Sequence, residues 1–390
     1  MKTSRILFTI AIAIGVVALS ITVGAANIAD PTVDLIRVPQ NGIQPQVVEK
    51  DGIVHLLYFT GDPAKGDLNY ATSRDFGKSF SKPIRVNSDP GTVMATGNIR
   101  GGQLAIGANG KVHVAWIGSS AAMPRAARNS APVLYARLSD SRDRFDPTQR
   151  VNQASWGADG ASIAADSRNN VYVFWHAQPP DGKDEANRRV WMARSADGGK
   201  SFEGEKIAYG ESTGVCGCCG SRALAAADGT VYMMFRAATE VVNRDMYLLS
   251  STDRGATFHG ADISHWNIGA CVMSSSALIQ SGKDVFSAWE SEKQVYFGRV
   301  DQSTHNISGN TAAPGTGVNR KYPALAVNGN GQILFVWAEN MAWGRGGSVA
   351  WQAYNRSLQP GSAHGQMPGV PGWSLVAAFS HPDGNFTVIY

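Results

Sequence analysis

The sequence predicts an all-β protein built as a β-propeller, and three observations carry that prediction. Seven segments repeat one pattern, in which a turn pair containing Gly or Asn precedes a short apolar run that ends on an aromatic residue. These final aromatic residues follow one another at intervals of 48 to 60 residues. A third strand-like segment follows in six copies and a less regular fourth in several. Four antiparallel strands at such a period describe one propeller blade, because radial repetition hides the sheet edges.

Each repeat is predicted to be a β-hairpin. Its turn carries Asp-Gly, Asn-Gly or a similar pair, which accepts the positive φ that tight hairpin turns need. An apolar run precedes the turn, as in "GASIAAD" before Asn169. The aromatic residues that close the second strands are Tyr58, Trp116, Trp175, Phe235, Trp289, Trp337 and Tyr390. The last copy stops after its second strand, so we expect the N-terminal segment "VDLIRVP" to complete that blade and close the ring.

The N-terminus has the layout of a secretory signal peptide. Lys2 and Arg5 precede an apolar run from Ile6 to Val23, and the small residues "GAA" follow. This pattern predicts a signal peptide over residues 1–26 and a single propeller domain over residues 27–390. An uncleaved membrane anchor is the alternative, because the run is long enough to span a bilayer. The expected location is secreted or periplasmic, without membrane insertion after cleavage.

The charge balance argues against a nucleic-acid partner. The whole chain carries a formal net charge of +4, from 35 basic and 31 acidic residues. Without Lys2 and Arg5 the balance falls to 33 against 31, a net charge of +2. Such a chain lacks the basic footprint that binding to a polyanion requires.

Three turns after third strands carry a sharper signature. They read "SRDFGKSF" from Ser73, "SADGGKSF" from Ser195 and "STDRGATF" from Ser251, with a degenerate copy, "SDSRDRF", from Ser139. These turns resemble the Asp-box, or BNR, repeat of sialidases and their relatives. The Asp side chain caps backbone amides and the Gly adopts a positive φ. In that family the boxes lie at the blade periphery, so the resemblance implies structural roles for Asp75, Asp197 and Asp253.

The resemblance covers nearly the whole mature chain at the level of fold. It implies a secreted, sialidase-like propeller, of a branch that carries a C-G-C-C loop and has no assigned activity. Sialidases have six blades, whereas the hairpin count gives seven, so either number is open. In such a ring, the loops between second and third strands and those between blades share one face. These loops are long here and rich in Arg, Asp, Glu and Trp, so binding is expected on this loop face.

The stretch "GVCGCCGSR" contains three of the four cysteines of the chain. No common zinc or redox motif has the spacing C-x-C-C. The cluster enters blade four and the fourth cysteine enters blade five, so the loop face should bring together Cys216, Cys218, Cys219 and Cys271. A disulfide that fixes the loops is the first interpretation in an oxidising compartment. A Cu(I) site is the alternative, because clustered thiolates beside Met94 or Met273 suit that soft ion better than zinc.

The sialidase catalytic constellation is only partly matched. Sialidases resemble one another in three arginines that hold a carboxylate, a Phe/Tyr-Arg-Ile-Pro segment in the first blade, an Asp acid/base, and a Tyr nucleophile paired with Glu. The segment "IRVP" aligns better with fourth strands, and "GIQPQVV" opens the first hairpin, so the first arginine is expected to be missing. Candidate ligand-binding residues are Arg100, Arg222, Arg236 and Arg244, with the loop acids Glu240 and Asp245. Mutual ion pairing explains these residues as well as ligand binding does.

Three residues are catalytic candidates. Tyr322 opens blade six, where the family's nucleophile resides, although Tyr-Pro before a strand is also a common packing feature. Asp62 and Asp67 lie in a loop where an acid/base residue could sit, and ordinary solvation explains both equally well. The constellation therefore resembles that of an exo-glycosidase with parts missing.

Three functions follow as hypotheses. The first is binding or hydrolysis of a glycan, with an acidic sugar as the expected ligand and binding favoured over true sialidase activity. The second is an extracytoplasmic copper or redox protein that uses the cysteine cluster. The third is a scaffold for a protein partner. The first and third need no cofactor.

Overall fold

A computed structural model describes residues 29–390, and it arranges seven β-sheets in a ring around one axis. The predicted propeller is confirmed, and the blade number is seven. The expected signal peptide lies outside the described residues.

The strands follow the chain blade by blade. An N-terminal strand, β1, spans Val33–Ile36. Blade one contains β2 (Ile43–Lys50), β3 (Ile53–Asp62), β4 (Lys65–Ser73) and β5 (Ile84–Arg85). Blade two contains β6 (Gln103–Ile106), β7 (Val112–Ile117), β8 (Val133–Arg137) and β9 (Gln149–Arg150). Blade three contains β10 (Trp156–Ala165), β11 (Val171–Gln178), β12 (Arg189–Ser195) and β13 (Lys206–Ile207).

The remaining blades continue the same order. Blade four contains β14 (Arg222–Ala225), β15 (Val231–Arg236), β16 (Met246–Ser251) and β17 (His259–Ser264). Blade five contains β18 (Ala277–Ser281), β19 (Asp284–Ser291), β20 (Gln294–Val300) and β21 (Ile307–Ala312). Blade six contains β22 (Lys321–Val327), β23 (Ile333–Glu339), β24 (Gly347–Tyr354) and β25 (Pro360–Val370). Blade seven contains β26 (Ala377–Ser380) and β27 (Phe386–Ile389) beside β1.

The N-terminal strand closes the ring, as the sequence predicts. β1 pairs in parallel with β27, from Val33 opposite Phe386 to Ile36 opposite Ile389. The closing blade therefore has three strands, in the order β1, β27, β26. Parallel pairing arises because this strand comes from the other end of the chain and not from a hairpin.

Local sequence explains the hairpins and their packing. At the turn between β2 and β3, Asp51 and Gly52 have φ values of 54° and 76°, which is the geometry that an Asp-Gly turn favours. The seven repeated aromatic side chains are all buried between blades. Each such side chain removes roughly 150 to 250 Å² from water, so the repeat supplies the core at every blade interface.

The three turns that resemble Asp boxes share one hydrogen-bond pattern. After β12, Ser195 Oγ donates to Asp197 Oδ1 at 2.7 Å and accepts from Gly199 N at 2.9 Å. Asp197 also accepts from the backbone and hydroxyl of Ser201 at 3.0 and 2.6 Å. The turns at Asp75 and Asp253 repeat these contacts. All three carboxylates are at the outer edge of a blade, where they hold turns.

Helical structure is limited to short 3-10 segments in the described part of the chain. They are Pro39–Asn41, Ala108–Gly110, Ala127–Asn129 and Glu185–Asn187. Within residues 29–390, no helix has the length and hydropathy that crossing a membrane would take.

Candidate functional site

A segment between blades one and two crosses the propeller axis on the loop face. This axial loop, residues 94–102, reaches the entry to blade seven, where Asn98 Nδ2 donates to Ser374 O at 2.5 Å. On the opposite side of the ring, Ile99 packs near Gly220 at the entry to blade four, since a Cβ on that glycine would lie 3.6 Å from Ile99 Cγ2. The axial loop therefore covers the mouth of the central channel on this face.

Three inner strands carry β-bulges at their loop-face ends, and two of them, β2 and β10, contact the axial loop. The register shifts in β2 after Ile43, in β10 around Asp159, and in β22 after Lys321. Two non-glycine residues at these bulges, Gln44 and Tyr322, have φ values of 56° and 53°. Bulges and positive φ re-aim side chains, and both concentrate at functional sites. The bulges mark the covered mouth as the place where the fold departs from regular sheet.

Arg100 of the axial loop is held by a carboxylate from blade three. Its Nε lies 2.8 and 3.0 Å from the two oxygens of Asp159, and its Nη2 lies 2.7 Å from Oδ2. The side chains are 26% and 10% exposed, so water is largely excluded from this pair. Such a bidentate contact fixes the guanidinium plane and leaves other N–H groups for a ligand.

Arg188 continues this polar cluster and has no carboxylate within ion-pair distance in the described part of the chain. Its Nη2 donates to Gly157 O at 2.6 Å and to His176 Nδ1 at 3.0 Å. The other ring nitrogen of His176 donates to Cys219 O at 3.2 Å. Burial, together with the charge of Arg188, lowers the pKa of His176 well below its ordinary value, so this imidazole is neutral. The cluster therefore connects Arg188 directly to residues 214–221, which contain three cysteines and are called the cysteine loop.

The cysteine loop contains one disulfide and two free thiols. Cys218 is bonded to Cys271, which joins the loops that enter blades four and five. Cys216 and Cys219 are free and buried, with their Sγ atoms 3.0 Å apart. Cys216 Sγ also lies 3.5 Å from Cys218 Sγ. Four cysteines allow three complete pairings, each with one bond from Cys271 to the cluster, and the fold makes Cys218 the partner of Cys271.

Charged groups surround the two thiols. Arg244 forms an ion pair with Glu185 at 2.7 Å, and Glu185 Oε1 accepts from Gly217 N at 2.6 Å. Arg236, at the end of β15, contacts the cysteine loop through its carbonyl oxygen, which accepts from Cys216 N at 2.9 Å. Burial would raise the pKa of Cys219, but the hydrogen bond from Cys216 and the charge of Arg236 lower it to about 7. The first thiolate of the pair therefore forms at Cys219.

A buried ion pair follows on the blade five side. Glu290, at the end of β19, is fully buried, and Lys321 Nζ lies 3.0 Å from its Oε1. Burial raises the pKa of Glu290, whereas Lys321 and Arg236 lower it. Arg236 also donates to Glu290 O at the blade interface. These contacts tie the cysteine loop to blades five and six.

The central channel below the axial loop forms a cavity of about 550 Å³ lined by inner strands of the blades. Arg222 lines this cavity, donates to Gln103 Oε1, and makes no ion pair within residues 29–390. Burial lowers the pKa of Arg222 to about 10. Tyr322 lines the same cavity and is only 4% exposed. Burial, followed by the nearby charges of Glu290 and Cys219, raises the pKa of Tyr322 well above its usual value.

The other predicted site residues lie in different settings. Asp62 accepts from Ala64 N at 2.9 Å, and Asp67 accepts from Asn87 Nδ2 at 2.7 Å and Gly91 N at 2.8 Å. Asp245 accepts from Trp266 N at 2.8 Å. Glu240 is exposed at a turn. Arg100 and Arg244 thus pair with Asp159 and Glu185, and within residues 29–390 neither Arg222 nor Arg236 forms an ion pair.

An exposed aromatic side chain stands next to Arg100. Trp343, in the loop between β23 and β24, is 59% exposed and packs edge-on against Trp373 at 4.5 Å between ring centroids. Both Trp343 and Arg100 Nη1 lie within 4 Å of the position that a Cβ on Gly97 would occupy. The Trp343 ring and the Arg100 guanidinium therefore flank Gly97, and this surface is called the notch.

Several residues of this face were missed in the sequence. They are Asp159, His176, Glu185, Arg188, Glu290, Lys321 and Trp343. A usable signal existed for Asp159, because "GADGAS" places glycines within an otherwise apolar strand and so indicates a bulge. A second signal existed for Glu290, since an acidic residue directly follows the repeated Trp289 near the end of β19.

Comparison with known proteins gives structural neighbours only. No protein-family model and no curated protein matches this sequence. Among solved structures, a leech intramolecular trans-sialidase complexed with 2,7-anhydro-Neu5Ac has a TM-score of 0.53 at 8% identity, over 85% of this chain and 79% of that one.

Two further neighbours have comparable scores. An α-L-arabinofuranosidase from Fusarium graminearum has a TM-score of 0.51 at 10% identity, over 80% of this chain and 93% of that one. A protein of unknown function from Dyadobacter fermentans has a TM-score of 0.51 at 11% identity, over 78% and 95% of the two chains. At these identities the likeness shows a shared propeller fold and nothing finer.

Proposed function

We propose that this protein binds a glycan carrying an acidic sugar on its loop face, without cleaving it as a sialidase would. The notch at Gly97, between Trp343 and Arg100, is the observation that carries this proposal. Two of the solved neighbours are glycan-directed by name, and the proposal extends that property to this chain.

The chemistry of the notch suits a sugar. An exposed indole offers an apolar surface for the C–H groups of a pyranose ring. Arg100 supplies directed N–H donors that Asp159 holds in place. A few fixed polar groups beside an aromatic surface are typical of small-molecule sites.

The charge of the face favours an anionic sugar. Three arginines, Arg100, Arg188 and Arg244, share this area with two carboxylates, Asp159 and Glu185. Arg100 and Arg244 form ion pairs with Asp159 and Glu185, so among these five residues the positive charge of Arg188 is left without an ion pair. A sugar carboxylate would neutralise it, and a guanidinium binds such a group bidentately.

The settings of the catalytic candidates argue for binding without turnover. Tyr322 is buried below the axial loop, and its raised pKa opposes the phenolate that a nucleophile needs. Asp62 and Asp67 already accept backbone or amide hydrogens. These hydrogen bonds and this burial are what a surface that binds a glycan without hydrolysing it would allow at the three positions.

A glycan array with the intact protein tests the proposal. Sialylated and uronate-containing glycans should give signal, neutral glycans should not, and Trp343→Ala should abolish binding. Met123→Ala is the matched control, because Met123 is also a large exposed side chain, 67% exposed, on the loop between β7 and β8. Equal binding by Trp343→Ala, or release of free sugar from a fluorogenic sialoside, would contradict the proposal.

A soft metal ion at the cysteine loop is the second candidate. The Sγ atoms of Cys216, Cys218 and Cys219 all lie within 4.8 Å of one another. Once the Cys218 disulfide is reduced, three sulfur ligands suit Cu(I). One copper per chain in native mass spectra, lost in Cys216→Ser and kept in His265→Ala, would support this candidate. His265 is the control because it belongs to the other group with metal-binding potential within residues 29–390, with Asp245 and Asp262. A metal-free protein whose thiols alkylate would rule it out.

A further inference from the structure

The three clustered sulfurs are not equivalent. Cys216 Sγ lies between the other two, 3.0 Å from Cys219 Sγ and 3.5 Å from Cys218 Sγ. Cys218 is bonded to Cys271, whereas Cys216 and Cys219 are free. A thiol within 3.5 Å of a disulfide sulfur is close enough to attack it after a small movement.

The four cysteines form an outer pair and an inner pair. Cys271 is exposed and Cys218 is partly exposed, so the outer pair meets solvent. Cys216 and Cys219 are at most 3% exposed, so the inner pair is shielded. Cys219 N approaches Cys216 O at 3.4 Å, which closes the tight turn that brings residues three apart into reach of each other.

We propose that one disulfide moves between these pairs by intramolecular thiol–disulfide exchange. In the first step Cys216 gives its proton to the Cys219 sulfur, to which it donates at 3.0 Å, and the Cys216 sulfur attacks Cys218 Sγ. The Cys218–Cys271 bond breaks, and Cys271 leaves as a thiolate. In the second step the Cys219 sulfur attacks Cys216 Sγ, and Cys218 leaves as a thiolate. The proton taken from Cys216 leaves Cys219 before its attack and ends on the Cys271 thiolate. The Cys218 thiolate then carries the charge that Cys219 held at the start. The protein keeps one disulfide and two thiols throughout, so no external oxidant or reductant is consumed.

The surroundings favour the transition state of such a step. In each step negative charge spreads over the attacking, central and leaving sulfurs, and fixed N–H donors stabilise such developing charge. Arg244 is 4% exposed, and its Nε and Nη1 have no hydrogen-bond partner among the described residues. Its Nη2 is anchored by Glu185, which also binds Gly217 N of the cysteine loop. Arg244 thus presents unused donors beside the exchanging sulfurs.

The exchange has a structural consequence on the surface. The Cys218–Cys271 bond is the covalent tie between the loops that enter blades four and five, and the exchange releases it. Two surface thiols then become available to a thiol or disulfide of another molecule. This chemistry is independent of the proposed glycan site and does not require it.

Native alkylation without reductant tests the proposal. Acid quenching and peptide mapping first measure the fraction of protein that holds the outer disulfide. Excess N-ethylmaleimide at neutral pH should then label Cys218 and Cys271 over time and trap a Cys216–Cys219 disulfide. The rate at which Cys218 and Cys271 are labelled should not depend on the N-ethylmaleimide concentration, because the disulfide exchange is the rate-limiting step.

Two variants sharpen the test. Cys216→Ser removes the central sulfur and should stop labelling of Cys271, while Arg244→Gln should slow it by about tenfold. Arg345→Gln, in a loop of blade six, is the matched control and should label at the wild-type rate. Far-ultraviolet circular dichroism confirms that each variant keeps the propeller.

Three results would overturn the proposal. Labelling confined to Cys216 and Cys219, with the outer disulfide intact, means that no exchange takes place. Isolation of the protein with both disulfides formed removes the free thiols that the exchange needs. A copper ion retained at the cluster after purification means that the sulfurs serve as ligands.

Discussion

Replacing Lys321 by Met should destabilise the protein strongly, because it leaves Glu290 charged and unpaired inside the fold. The Glu290 side chain is 0% exposed, and Lys321 Nζ contacts both of its oxygens, at 3.0 and 3.3 Å. Breaking a buried pair costs about 3 to 5 kcal/mol. Arg236 and Ser274 stay near this carboxylate, so we expect the lower end, about 3 kcal/mol at pH 7.5.

The sign of the pH dependence identifies the cause. Burial already raises the pKa of Glu290 above its unfolded value, and loss of Lys321 raises it further. A raised carboxyl pKa means that the folded state binds the proton more tightly than the unfolded state, so the penalty shrinks as pH falls toward the folded pKa. Lys321→Met should therefore regain stability between pH 7.5 and 5. The double variant with Glu290→Gln should recover most of the loss at every pH.

Urea unfolding followed by tryptophan fluorescence, at several pH values, measures these differences. A loss below about 1 kcal/mol, or a single variant that matches the double variant at all pH values, would refute the assignment of Glu290 as a buried, charged partner.

Three further predictions concern the scaffold. His113 is buried against Tyr135, and its pKa is lowered to about 3, chiefly by burial. The free energy of unfolding should therefore decrease as pH drops from the unfolded pKa near 6.5 toward 3. His113→Gln should flatten the dependence of stability on pH in this range. Trp175→Ala should cost about 3 to 5 kcal/mol in urea unfolding, whereas substitution of an exposed surface residue should cost little. Asp197→Ala should cost about 1 kcal/mol in the same assay and leave glycan binding unchanged, because its contacts with Ser201 hold only a peripheral turn.

The ring was predictable because its determinants are local. Each hairpin carries its own turn pair and closing aromatic residue, and β1 matches the strand that the last blade lacks. The count of hairpins was also the better guide to blade number than the resemblance, since it reads the chain itself. The periodic pattern of apolar residues and turn pairs predicts strands and turns because both depend on neighbouring residues in the chain.

The site was only partly predictable because its contacts are between distant residues. Arg100 and Asp159 are 59 residues apart, and Glu290 and Lys321 are 31 apart. Nothing in a single sequence pairs such residues, so the arginines were found while their partners were not. The disulfide had the same ambiguity, since three pairings fit the sequence and only the spatial arrangement of two loops selects Cys218 with Cys271.

Saturation-transfer difference NMR with 3′-sialyllactose tests the central claim most directly. Binding at the notch predicts transfer to the ring protons of the sialic acid, no transfer with Trp343→Ala, and no cleavage over the course of the experiment. Transfer that persists in Trp343→Ala, or its absence for every acidic glycan tried with the intact protein, would contradict glycan binding at this face.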